Sequence, residues 1–433
     1  LTQKTSYFPA RQGRGNREFQ MMLIVRRISY FAYIVLRRIA RWKYRESNVK
    51  RSRLLVWPPA SNLEELNDIV DWIAWYIPAQ SGLSVTLVGT PALAAERGYS
   101  MPAEVTFLTR IADESFETVL IHKHTVRCSL EALERFNAKL ECIDKRFFTY
   151  HESVAFQRIY ALHDTVSLSD TRKKLEEVSR KNYEFLYSRY KGCQRAFVLG
   201  TGPSIQQIFH IDVSQDDLVI ACNSLVKNQK VFSYARPAVL TFADPVFHFG
   251  RSAYAQQFRE HLASLSSDTN VFFIVPPEHG LLLALHYPSL ISRLIVLPVS
   301  PEFNLPTPEN RKVQVADNIM TLYMLPVASA MAQEVYVIGA DGRAQADNYF
   351  WKHDQDSQYG NLMKTAVDAH PSFFRDRDYK AYFKHHCDTM EALISQGERR
   401  GVRYYSVSSS TIPALRQRAW ERHGPREQLA NGA

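Results

Sequence analysis

Short apolar runs that end in glycine or small polar residues alternate with amphipathic stretches along most of this chain. Runs at residues 54–57, 84–89 and 118–122 read as strands of a parallel sheet, because near-continuous apolar stretches suit strands covered on both faces. Helical spacing predicts helices over 62–76 and 130–140, and a further strand lies within 141–150. Together these make a first α/β unit, residues 54–165. Residues 166–192 are charged, with a helical pattern over 171–190 that suits a link between domains. The alternation resumes in a second unit, residues 193–415, with strands expected at 196–199, 218–221, 238–242, 271–275, 294–299, 335–338 and 403–407. Helices are expected there at 315–331 and 378–397, and residues 416–433 form a polar tail. The pattern predicts an α/β protein built from two Rossmann-like units with mostly parallel sheets.

Charge changes the picture at the start of the chain. Residues 1–53 hold fourteen Lys and Arg against Glu18 and Glu46, a net of +12, which leaves −3 for the rest of a chain whose total is +9. The folded body is therefore not basic, and a nucleic-acid partner is not expected. Residues 1–16 are polar and rich in Gly and Arg, a composition of disorder. Residues 21–42 interleave Leu23, Ile28, Phe31, Val35 and Ile39 with arginines, which predicts a basic amphipathic helix. With residues 43–53 it would lie on an anionic membrane surface. Packing on the protein body or on a second copy is the alternative, and the latter would make a homo-oligomer. Arg26-Arg27 and Arg37-Arg38 interrupt the apolar runs, so neither a signal peptide nor a spanning helix is expected. Cys128, Cys142, Cys193, Cys222 and Cys387 lack disulfide or zinc spacing and fit a reducing compartment.

Candidate chemistry gathers at the strand ends of the second unit, where open parallel sheets bind ligands. Strand 196–199 leads into Gly200-Thr201-Gly202-Pro203-Ser204, a turn whose glycines allow close backbone approach and whose amides favour an anion. Strand 218–221 leads into Cys222-Asn223-Ser224, strand 238–242 into Ala243-Asp244-Pro245, and strand 335–338 into Gly339-Ala340-Asp341. Asn and Asp are also ordinary turn formers, so any one of these ends alone is equally a turn. In the first unit His122 and His124 could be ligands, but no third partner is visible and no metal is expected.

G-x-G-P-S after a strand, C-N after the next, a D-P turn, and a helix leading into V-Y-V-I-G-A-D resemble the bacterial sialyltransferases of the Campylobacter type. The group that includes motility accessory factors is similar. The resemblance spans roughly residues 195–415. It implies a glycosyltransferase that holds a CMP-sugar donor at Gly200, Thr201, Gly202, Ser204 and Asn223, with Asp341 matching the Asp after G-x. It also implies donor phosphate held by tyrosines of a mobile lid, for which Tyr349 and Tyr359 are candidates, and a catalytic histidine before the last long helix. His385 leads there and His386 follows, while His370 precedes the same helix independently. Histidine suits proton abstraction near neutrality. The leaving group would be stabilised by the tyrosines, by turn amides and by Arg311 or Lys312. Thr201 and Ala316-Asp317-Asn318 depart from the family pattern, which leaves the donor sugar undefined.

Single displacement with inversion, without metal or cofactor, is the mechanism this implies. The acceptor would be a glycan, a lipid-linked sugar or a protein, at the inner face of a bacterial plasma membrane. Two other classes fit parts of the pattern. A pterin pyrophosphokinase would use Asp244 and Asp341 to hold magnesium. A non-catalytic scaffold of polysaccharide assembly would keep the fold without turnover.

Overall fold

A computed structural model describes residues 29, 31–40, 53–89, 93, 102, 105–108, 110, 111, 116–145, 153–342, 355–376 and 378–421. The expected disordered start, most of residues 41–53, Tyr349 and residues 422–433 of the tail lie outside them. The fold is α/β and divides into Leu1–Thr165 and Val166–Ala433.

In the first unit β1 (Arg53–Trp57), β2 (Ser84–Val88), β3 (Val105–Leu108), β4 (Thr118–Ile121) and β5 (Lys139–Cys142) form one parallel sheet in the order β3-β2-β1-β4-β5. Every residue of β4 is buried, the reason its sequence is apolar without alternation. The helix Leu63–Tyr76 starts where Asn62 accepts the Glu65 amide at 2.9 Å, and Glu65 returns a bond to the Ser61 amide at 2.9 Å. The helix expected over 130–140 instead spans Val126–Arg135, capped by Thr125, because Leu140 is committed to β5 beside Val119.

Residues 31–40 are helical and pack on this unit. Tyr33 and Ala40 are buried in a cluster with Leu55, Trp57, Val119 and Cys142. The Cys142 amide donates to the Tyr33 hydroxyl at 3.0 Å, and Arg37 pairs with the buried Glu141 at 2.6 Å. His124 meets the Tyr33 ring edge-on with centroids 5.5 Å apart. One face of the basic helix is thus held by the protein body.

The second unit carries seven parallel strands: β6 (Cys193–Leu199), β7 (Leu218–Cys222), β8 (Val239–Thr241), β9 (Phe272–Val275), β10 (Leu294–Val296), β13 (Ala332–Ile338) and β14 (Arg403–Ser406). Their order is β10-β9-β8-β7-β6-β13-β14. The chain therefore winds outward from β6 in one direction, then returns to place β13 on the other side of it. The helix Val166–Tyr190, read from sequence as a link, belongs to this unit, since Tyr183 and Leu186 are part of its core. The strand expected to 299 stops at Val296. Pro298 breaks the ladder, and β11 (Val299–Ser300) pairs instead with β12 (Val313–Gln314). The helix expected from 315 begins only after Asn318, whose Oδ1 accepts the Met320 amide at 2.9 Å, and its first turn Met320–Met324 is a π-helix.

Candidate functional site

The strand order of the second unit's parallel sheet reverses between β6 and β13, the position at which open α/β sheets bind ligands. Leu199 is in register with Ile338, so the two glycine turns leave the sheet side by side. Gly200 donates to the Ile338 carbonyl at 2.8 Å and Gly202 to the Gly339 carbonyl at 2.9 Å. A Cβ on Gly200 would lie 2.4 Å from the Gly339 oxygen, and one on Gly202 would lie 2.0 Å from Asp341 Oδ2. Gly339 has φ +76°, a conformation that side chains resist. These glycines exist first because two backbone turns cross at contact distance.

Asp341 continues the crossing. Its Oδ2 accepts from the Ser204 amide at 3.3 Å and the Ser204 hydroxyl at 3.0 Å, and that hydroxyl lies 2.8 Å from Ser408 Oγ. The anion at the start of the Pro203–His210 helix is thus the protein's own carboxylate. This corrects one expectation: the amides of Gly200, Gly202 and Ser204 are satisfied internally and are not free to stabilise a leaving phosphate.

Beside the crossing lies a narrow cleft that opens to solvent. Gly200, Thr201, Asn223, Gly339, Asp341 and His386 line it together with Asn318, Met320 and Ile412. Asn223 follows β7 with φ 49°, and its Oδ1 is buried with no hydrogen-bond partner among the described residues. His386 projects from the helix Tyr379–Glu398, which Asp378 caps through the amides of Lys380 and Ala381. Burial, and secondarily the charge of His385, pulls the His386 imidazole down to about 4.

No family model, curated protein or solved structure matches this chain. The site's own geometry therefore carries its functional reading.

The other sequence-derived candidates fall elsewhere. His385 is 61% exposed, outside the cleft wall, with Nε2 3.8 Å from Asp317 Oδ2. His370 is buried against Gly250, where a Cβ would lie 2.6 Å from its Nε2. Asp244 accepts the Val246 and Phe247 amides at 2.8 and 3.0 Å, the bland turn-forming role. Ser224 is buried and bonds Gln358 at 3.5 Å. Tyr359 is buried too, its hydroxyl 2.5 Å from His261 Nδ1. Pro203 opens the short helix after the turn. Arg311 is paired with Glu176. In the first unit, His122 Nε2 donates to the Pro58 carbonyl at 2.6 Å and His124 packs on Tyr33, so both serve the fold. Among the described residues no group of His, Cys, Asp and Glu is arranged to hold a metal.

Sequence reasoning missed Asn318, Met320, Ile412 and Ser408 as site residues. Asn318 carried a signal, an Asn just ahead of an apolar run, which marks a helix start. Ser408 lies in the serine-rich stretch after β14, another carboxyl strand end that the same placement rule covers.

Proposed function

We propose that this protein is a glycosyltransferase that takes a CMP-activated sugar in the cleft between the carboxyl ends of β6 and β13. The observation that carries this is the convergence of Gly200, Thr201, Asn223, Asp341 and His386, distant in sequence, on one cleft at the sheet's reversal point. Among the described residues both side-chain contacts of Asp341 fall on Oδ2, and in this reading Oδ1 serves as acceptor for a ribose or sugar hydroxyl. Asn223 Oδ1 accepts a second ligand donor. The Asp341 carboxylate repels phosphate, so in this reading the leaving group lies away from it.

His386 is neutral at working pH and can accept a proton. An acceptor hydroxyl gives its proton to the imidazole, its oxygen bonds to the anomeric carbon, and the bond from that carbon to the CMP phosphate breaks with its electron pair on the phosphate. A bound nucleotide's negative charge raises the imidazole pKa toward the range useful for this transfer. The donor sugar stays open, and the acceptor is a glycan, a lipid-linked sugar or a protein. Association with the inner face of a bacterial plasma membrane through the basic arm would bring lipid-linked acceptors within reach. Among the described residues no helix is long and apolar enough to cross a membrane.

Thermal unfolding with CMP, UMP, GMP, ATP and a pterin, each with and without magnesium, tests this, since a ligand of the native state raises the midpoint. A magnesium-independent rise with CMP, followed by donor hydrolysis that is lost in His386→Asn, is the expected result. A rise only with ATP and magnesium would turn the assignment to phosphoryl transfer. No rise with any nucleotide would leave a scaffold.

A further inference from the structure

The helix at residues 31–40 has two faces. Tyr33, Leu36 and Ala40 are buried on the first unit, whereas Phe31 is 69%, Val35 39% and Ile39 37% exposed, with Arg38 exposed beside them. At 3.6 residues per turn these four outward residues share an arc of about 100°. The docked face is fixed by unusually specific contacts for a surface helix. Arg37 reaches Glu141, whose side chain is only 1% exposed and which also lies 3.6 Å from Arg158. Tyr33 accepts a backbone amide of β5. The outward stripe is therefore presented on a rigid mount rather than on a tethered arm.

We propose that this outward stripe is the contact of the first unit with an anionic lipid surface: Phe31, Val35 and Ile39 enter the headgroup boundary and Arg38 meets lipid phosphate. Charge identifies the occupant. Residues 1–53 carry a net +12 while the remaining chain carries −3, so the apolar stripe sits within the one strongly cationic segment of the protein. An apolar face combined with arginine is the composition that binds bilayer interfaces. A second copy of the chain would bring the same +12 segment against itself. The inference deepens only the membrane half of the function proposed above and is independent of glycosyl transfer.

Co-sedimentation of the full chain with vesicles of phosphatidylcholine alone, or mixed equally with phosphatidylglycerol, tests it. The parent should bind the mixed vesicles and leave the neutral ones. The triple variant Phe31→Ser, Val35→Ser, Ile39→Ser should lose about tenfold or more of that partition. Arg38→Glu should lose about fivefold or more. Because all four side chains are exposed, an unchanged unfolding midpoint is expected, and Arg38→Glu decides alone if the triple variant does not fold. Equal vesicle binding by parent and variants overturns the proposal. So does a variant that keeps vesicle binding but drops in sedimenting mass, which would make the stripe a contact between copies. The CMP-induced midpoint shift should match in parent and variants, and its absence in the parent would sink glycosyl transfer while the vesicle result still stands.

Discussion

Replacing Asn223 with glycine separates a residue kept for a ligand from one kept for the fold. Asn223 sits at φ 49° with its Oδ1 buried and unbonded among the described residues. A side chain in the left-handed region costs about 1 kcal/mol, and an unsatisfied buried acceptor costs about 1–3 kcal/mol. Glycine removes both and returns about 1 kcal/mol through the entropy of the unfolded chain. Asn223→Gly should therefore stabilise the ligand-free protein by about 1–3 kcal/mol, a midpoint rise of about 2–4 °C per kcal/mol for a unit of this size. Asn223→Ala removes the acceptor but keeps the backbone strain, so it should fall below the glycine variant. CMP binding should move the other way, about tenfold weaker in both variants for loss of one hydrogen bond to the ligand. Scanning calorimetry of the free proteins and a CMP titration read the two effects separately. A glycine variant that melts below the parent would make Asn223 a scaffold residue. One that keeps full CMP affinity would remove it from the site.

Three further outcomes follow from the same contacts. His386 is held near 4 by burial against an ordinary value of 6.5, so as pH falls the unfolded chain takes up its proton first. That contribution to stability is fully present above about pH 6.5 and is lost as pH falls toward 4. Between about pH 7 and pH 5 it amounts to about 2 kcal/mol, and urea unfolding of His386→Asn should show a fall shallower by that much; an unchanged slope would refute the burial argument. In Gly202→Ala the new Cβ would sit 2.0 Å from Asp341 Oδ2 and 2.7 Å from the Gly339 carbonyl. Loss of about 3 kcal/mol or more, with loss of CMP binding, is expected, and a near-neutral change in denaturant midpoint would show that the turns can part. Arg37→Ala should cost about 2–3 kcal/mol by exposing the Glu141 pairing to imbalance, with Arg158 limiting the loss, and should speed proteolysis within residues 31–40. Unchanged cleavage would mean that Tyr33 and the buried apolar contacts hold the helix alone.

Sequence revealed β7, β8, β9 and β10 of the second unit because they are buried at nearly every position. β7 is buried at all five positions, so the run Leu218 to Cys222 has no polar interruption to mislead the eye. The same logic failed where one apolar residue could serve either element. Leu140 fits a helical spacing from Leu130, yet it belongs to β5, and only the pairing with Val119 decides between the two. β3 went unseen because its four residues are only partly covered and look like any short β-branched stretch. The strand ends that flank the switch point, to which the placement rule pointed, line one cleft. The rule overreached at Asp244, which lies two strands away from β6 and spends its carboxylate on its own turn.

Which of His385 and His386 is buried was decidable from sequence, by helix phase. The buried residues of the helix Tyr379–Glu398 are His386, Met390, Leu393, Ile394 and Gly397, spaced at four, seven, eight and eleven from the first. That is the stripe of one helix face. His385 stands about 100° around the axis from it, on the side where Lys384 and Asp388 pair in solvent. A histidine in the buried stripe is ordinarily read as core, whereas the resemblance put His385 first by its place before the last long helix. Under the proposed function the geometry favours His386, because the N-terminal end of the buried stripe lines the cleft beside the ends of β6 and β13. Burial there lowers the imidazole pKa, and a bound phosphate can restore it, so the residue that looks inert without ligand is the one whose basicity the ligand can set.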